Sequence, residues 1–159
     1  MKLSVTQKGN KMFAYKWEDK KTYIYTLAKK GILGSSRIEL FNKMGYSLYS
    51  LKQDLKGRRA NFEVYENQNL IIKGSCTATF LNPAIAVKYF DVTYILRSND
   101  RVKFLIIKDK EEIGKIHVME DLKGNLQFDL DIADEHFEDF MLLFVQMIYS
   151  SFFMNSNKK

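Results

Sequence analysis

A chain of 159 residues with 46% hydrophobic content can bury one substantial core and suits a single domain. Its one cysteine, Cys76, excludes an internal disulfide and a thiolate metal cluster. The net charge of +6 is unevenly spread: residues 1–110 hold 21 Lys+Arg against 9 Asp+Glu (+12), and residues 111–159 hold 4 against 10 (−6). A basic body attracts polyanions such as phospholipid headgroups or nucleic acid, although scattered lysines also serve simply as solvated surface.

The N-terminal MKLSVTQKGNKMFAYKWEDKK lacks the continuous apolar run of a signal peptide, so a cytoplasmic protein is expected. Strands are predicted from about residue 12 to 132. MFAYKW and TYIYTLA pair around Glu18–Lys21. RIELFNKMGYSLYSLKQ (37–53) alternates apolar and polar residues, breaks at Asn42–Gly45 and resumes. NFEVYENQNLIIKGSCT (61–77) repeats that design at an offset of 24, with Ile38 over Phe62 and Leu40 over Val64. Two more hairpin-like units follow: residues 89–108 turn at Ser98–Asp100, and residues 114–132 turn near Lys123–Gly124. With Pro83 as the single proline and no Ser- or Gly-rich linker, nothing marks a domain boundary, and only NSNKK at the end reads as frayed.

A helix is expected over about 134–154. Asp134 is placed to cap it, and Glu135, Glu138 and Asp139 suit the positive end of its dipole. From Phe140 to Met154 there are 15 residues, interrupted by Gln146, Ser150 and Ser151, short of the roughly 20 apolar residues a membrane span needs. Phe137, Phe140, Met141, Phe144, Val145, Ile148 and Phe152 form one stripe, while Leu142, Leu143, Met147, Tyr149 and Phe153 cover most of the remaining circumference. A helix apolar all round needs burial on every side. Alternating strands have one apolar face, and such a face can surround a helix only if the sheet curls around it. The expected fold is therefore mainly β: a closed antiparallel barrel of about 12 strands wrapped around its own buried hydrophobic C-terminal helix.

LQFDLDI (126–132), followed by a polar helical turn and FEDFMLLFVQMIYSSFF (137–153), resembles the C-terminal signature of the phospholipid scramblase and LURP-one-related group within the tubby C-terminal-like superfamily. The repeated hairpins are similar to the same superfamily and extend the likeness over most of residues 12–154. The resemblance implies a twelve-stranded barrel around a hydrophobic helix, in agreement with the packing argument. It also implies two ligand chemistries. Scramblases are proposed to bind calcium through the acidic segment before the helix, whose nearest equivalents here are Asp129, Asp131 and Asp134. Calcium wants six to eight oxygens from a wrapping loop, and this chain offers only EDLKGN (120–125) upstream, so outward-facing carboxylates explain these acids more simply and no metal is expected. His136 adds one imidazole to a weak ligand set, and His117, between Ile116 and Val118, reads as an outward strand residue. Tubby-type domains hold phosphoinositide headgroups with basic side chains on the barrel exterior. The local candidates are Lys52, Lys56, Arg58 and Arg59 around Gly57, with Lys29 and Lys30 in a second group. Solvated turns are the plainer reading of both.

Enzyme classes find little support. There is no nucleophile elbow, no phosphate-cradling glycine run and no paired histidines, and Cys76 within GSCTATF reads as inert core. A lipocalin-like carrier would need an open lumen and an external amphipathic helix. Nucleic-acid binding would use the charge and the aromatics, yet 12 Phe and 9 Tyr at alternating positions read as core. Scramblase-like lipid translocation would require the helix to leave the barrel, exposing both apolar surfaces at about 25 cal/mol per Å². The expectation is thus a non-catalytic, cofactor-free binding module, cytoplasmic and peripheral to a membrane, with anionic phospholipid as the leading partner. A protein-interaction or structural barrel is the alternative.

Overall fold

The computed structural model describes residues 1–30 and 37–154. Twelve strands follow in order: β1 Lys2–Lys8, β2 Lys11–Lys16, β3 Asp19–Lys30, β4 Arg37–Asn42, β5 Ser47–Asp54, β6 Asn61–Glu66, β7 Asn69–Ala78, β8 Ala84–Tyr89, β9 Val92–Arg97, β10 Lys103–Lys108, β11 Glu111–Glu120 and β12 Leu126–Ile132. Each pairs antiparallel with its neighbours in the chain, and β1 closes the ring against β12. The fold is a closed up-and-down barrel, which among the described residues leaves no sheet edge unpaired.

Local chemistry explains the hairpins. At the β6–β7 turn Asn67 and Gln68 both take positive φ, as do Asp109 and Lys110 at the β10–β11 turn, the geometry that matches the strand twist across a two-residue connection. Longer turns are fixed by side chains. The Asn42 carboxamide accepts the amides of Met44 and Tyr46, and the Asp121 carboxylate accepts those of Lys123 and Asn125.

Two strands depart from expectation. β1 lies outside the predicted range because KLSVTQK has only Leu3 and Val5 to signal alternation, and its partner is distant in sequence: Leu3 faces Leu130 and Val5 faces Phe128. The hairpin expected over 89–108 is present as β9 and β10 around the Ser98–Asp100 turn, but a further strand, β8, precedes it. β8 and β9 meet through Phe90 and Asp91, a turn with no Gly, Asn or Pro to announce it, and Phe90 itself adopts φ 53.

The helical segment is shorter than predicted and starts later. Asp134–His136 make one isolated 3-10 turn, Phe137 and Glu138 are extended, and continuous helix begins at Asp139. It runs as 3-10 turn Asp139–Met141, α1 Leu142–Ile148 and π turn Tyr149–Phe153. Asp134 therefore caps nothing; it accepts from the Met1 amino group, which also donates to the Ile132 carbonyl at 2.7 Å. Fifteen helical residues, Asp139–Phe153, at about 1.5 Å each span about 22 Å, shorter than the roughly 30 Å that a helix over 134–154 would span.

Burial is as the all-round apolar pattern requires. Every residue from Phe140 to Ile148 is buried, and strand residues of one parity, such as Leu40, Leu51, Val64, Ile85 and Ile106, line the lumen around them. Phe140 meets the rings of Tyr49, Tyr89 and Tyr94 at centroid distances of 6.3, 4.9 and 6.0 Å. Phe104 stacks on Phe152 at 5.6 Å near the other end. Gly74 lets the wall approach the helix: a Cβ there would lie 3.4 Å from Met147 Sδ and 3.5 Å from Phe62 Cβ. Two of the polar interruptions, Gln146 and Ser150, are bonded to each other and to the barrel wall. Gln146 Nε2 donates to Ser150 Oγ at 3.0 Å, and Ser150 Oγ donates to Gln53 Oε1 on β5 at 2.7 Å. Among the described residues no helix is long and apolar enough to cross a membrane.

Candidate anion-binding surface

In an up-and-down meander, alternate turns lie at the same end of the barrel. The helix enters beside the β8–β9 and β10–β11 turns and finishes beside the β5–β6, β7–β8 and β9–β10 loops. The entry end is acidic on balance, Asp109, Glu111, Glu112, Glu135, Glu138 and Asp139 outnumbering Lys108 and Lys110 of the same turn. There the Tyr49 hydroxyl donates to Asp139 Oδ1 at 3.1 Å, and burial, reinforced by that carboxylate, raises its pKa. Burial, followed by the Glu138 charge, pushes Tyr94 up to about 12. The exit end is basic: the β5–β6 loop alone carries Lys56, Arg58 and Arg59 with no acid between them.

The barrel register adds a row that sequence reading did not reveal. Directly opposite one another on successive strands stand Lys30 and Arg37, Arg37 and Lys52, Lys52 and Glu63, Glu63 and Lys73, and Lys73 and Lys88. All six have outward parity, because Ile38, Leu51, Phe62, Ile72 and Val87 next to them line the lumen. Five cations and one carboxylate thus form a belt across β3 to β8. Opposed residues on one face of an antiparallel pair sit about 4.5–5.5 Å apart at Cβ, close enough for like charges to destabilise the pairing. Three of the five junctions are cation against cation.

Relief within the belt is partial. Lys30 Nζ lies 3.6 Å from Glu39 Oε2, an exposed-to-shielded pair that contributes at most about 1 kcal/mol. The Arg37 guanidinium lies 5.7 Å from the Tyr65 ring centroid, and the Tyr65 hydroxyl donates to Glu63 Oε1 at 3.3 Å. Lys52 and Lys73 border a shallow depression that also includes Asp54, Asn61, Glu63 and Ser75.

The predicted basic residues therefore divide three ways. Lys30 and Lys52 belong to the belt, joined by Arg37, Lys73 and Lys88, which were not singled out. Lys56, Arg58 and Arg59 form a separate group on the β5–β6 loop, where the Asp54 carboxylate accepts the Lys56 amide at 3.1 Å. Lys29 has lumen parity and lies at the barrel mouth, lining a small cavity with Gln53, Gln146 and Tyr149. Gly31–Ser36, which follow Lys30, lie outside the described residues. The missing members of the belt carried no local signal, because each is one lysine or arginine in an otherwise ordinary strand.

The weak metal candidates are engaged otherwise. Asp129 and Asp131 have outward parity between the buried Phe128, Leu130 and Ile132. Asp129 Oδ1 accepts from Ser4 Oγ at 2.7 Å and Gln127 Nε2 at 2.9 Å, while Asp131 stands opposite Lys2 and Lys115. Among the described residues no group of three His, Cys, Asp or Glu side chains is arranged to hold a metal ion. His117 is exposed on β11, and His136 ends the isolated 3-10 turn, apart from it. Cys76 is buried, with its thiol pKa raised by that burial.

The class that this geometry defines is a mainly-β, closed twelve-stranded antiparallel barrel with a short C-terminal helix in its lumen. Comparison with known proteins finds no matching family model, no matching curated protein and no matching solved structure.

Proposed function

We propose that this chain is a non-catalytic binding module of the tubby and scramblase-like type, reading anionic phospholipid at a membrane's cytoplasmic surface. The observation that carries the reading is the belt. Five cations lie on one inter-strand row with a single carboxylate among them, and the like-charged junctions disfavour the isolated barrel until an anion lies across them. Arginine forks grip phosphate oxygens bidentately, and lysines add point charges; the belt and the neighbouring loop hold both residue types. A convex, laterally extended cation array suits a surface of many anions better than one small ligand.

The reading is tested by co-sedimenting the purified protein with neutral and with phosphatidylserine-containing vesicles at low and high salt, with and without calcium. Binding to anionic vesicles alone, weakened by salt, is expected, because exposed charges are screened beyond about 10 Å at 0.1 M salt. Lys52→Glu/Lys73→Glu and Arg58→Glu/Arg59→Glu should each weaken it, with the circular dichroism spectrum unchanged. Equal binding by these variants, or binding only in calcium, would refute the cationic surface. No binding under any condition would favour a protein-interaction barrel.

A further inference from the structure

The loop between β7 and β8 combines exposed apolar side chains with a fixed base. Phe80 is 86% exposed and Leu81 87% exposed, consecutive large apolar residues turned to solvent. The Thr79 carbonyl accepts from Arg101 Nη2, the Pro83 carbonyl accepts from the Ser98 amide at 3.0 Å, and Thr77 Oγ1 donates to the Ala84 carbonyl at 3.3 Å. Asn82 takes a left-handed φ of 53 that reverses the chain after Leu81. The two side chains thus project from an anchored loop.

Their surroundings indicate what covers them. On one side lies the β5–β6 loop with Lys56, Arg58 and Arg59, tied to β7 where the Cys76 amide donates to the Ala60 carbonyl at 2.9 Å. On the other lies the β9–β10 loop leading into Lys103. Leu122, fully exposed on the β11–β12 turn between Lys123 and an Asp121 carboxylate that accepts the turn's own amides, belongs to the same end. The opposite end also exposes apolar side chains, Met44, Tyr46 and Phe90 among them, but these share it with Glu66, Asp91 and the acids of the helix entry, which an anionic surface repels. Apolar tips flanked by cations match the acyl boundary and the phosphate layer of one anionic leaflet.

We propose that the β7–β8 loop is a membrane-inserting tip: Phe80 and Leu81 enter the acyl boundary of an anionic bilayer while Lys56, Arg58, Arg59 and Lys103 meet the headgroup phosphates, docking the barrel by its helix-exit end. This rests on the anionic-phospholipid reading and adds to it an orientation and an apolar contribution. Arg101, bound to the Thr79 carbonyl and 5.7 Å from the Phe152 ring centroid, acts as a positioning residue for the tip.

Trp17 is the single tryptophan and lies just past β2, at the opposite end of the barrel, so it serves as an internal control. The experiment compares the native chain with a Trp17→Phe/Phe80→Trp variant on vesicles of phosphatidylcholine and phosphatidylserine whose acyl chains are brominated. Quenching at position 80 and none at Trp17 is expected. Phe80→Ser/Leu81→Ser should fold normally, both positions being exposed, and should bind such vesicles about tenfold more weakly, equivalent to about 1.4 kcal/mol. Salt-sensitive binding without quenching at position 80 would overturn the insertion and leave the cationic surface standing. Quenching of Trp17 would overturn the orientation, and absence of vesicle binding would overturn both readings in favour of a protein partner.

Discussion

Replacing Phe144 by alanine tests whether the helix is packed into its barrel or merely threaded through it. The side chain is fully buried, with the Tyr94 ring at 5.3 Å and the Phe140 ring at 6.0 Å. Phe→Ala at a buried site costs about 3–5 kcal/mol, and the upper part of that range applies where the surroundings cannot collapse into the void. A ring of strands hydrogen-bonded on both sides is such a surrounding. Each lost aromatic pair adds about 0.5–1.5 kcal/mol beyond burial. A loss of about 4–5 kcal/mol takes a large share of the 5–15 kcal/mol typical of a domain. With a urea slope of about 2 kcal/mol per molar, the unfolding midpoint should fall by about 2 M with the slope unchanged. Phe144→Asp, which buries an unpaired charge, should prevent folding altogether. Met44→Asp on the exposed β4–β5 turn is the control and should leave the midpoint in place. A midpoint shift below about 0.5 M for Phe144→Ala would refute the packed-helix account.

Gly114→Ala should destabilise by about 1–3 kcal/mol, because its Cβ would lie 2.6 Å from the Asp131 carbonyl oxygen and 2.9 Å from Ile132 Cγ1 on the paired strand; an unchanged melting temperature would contradict that clash. Ser150→Ala should cost about 1–3 kcal/mol by leaving Gln53 and Gln146 without their shared hydroxyl. Adding Gln53→Leu and Gln146→Leu should recover much of the loss in denaturant titrations, whereas additive losses would show that the three do not act together. Asp100 and Asp121 titrate below the ordinary 3.8, chiefly because the backbone amides of Lys103 and Asn125 donate to them. Their contribution to stability is therefore present above pH 3.8 and is lost as pH falls through the lowered values. Carboxyl-carbon NMR titrations of these two residues should give midpoints below 3.8, and midpoints at or above it would remove the turn-locking role.

The amino-acid sequence by itself determined the pieces whose cause is local. Alternation in 37–53 and 61–77, broken by Asn42–Gly45 and Asn67–Gln68, specifies hairpins because strand faces repeat every two residues and these turns supply the required backbone angles. The all-round apolar run from Phe140 to Ile148 demanded enclosure, and with many alternating strands available a barrel was the solution. Tertiary structure decided what depends on distant partners. β1 is a strand because β12, more than a hundred residues away, needs a partner to close the ring. The helix starts at Asp139 and not at Asp134 because Asp134 is held by the Met1 amino group while Asp139 meets the Tyr49 hydroxyl. The belt of Lys30, Arg37, Lys52, Lys73 and Lys88 follows from register, which turn lengths and bulges accumulate strand by strand. No one hairpin contains it, and a slip of one residue at any of the intervening pairings would turn the shifted strands' lysines toward the lumen and their apolar residues toward water.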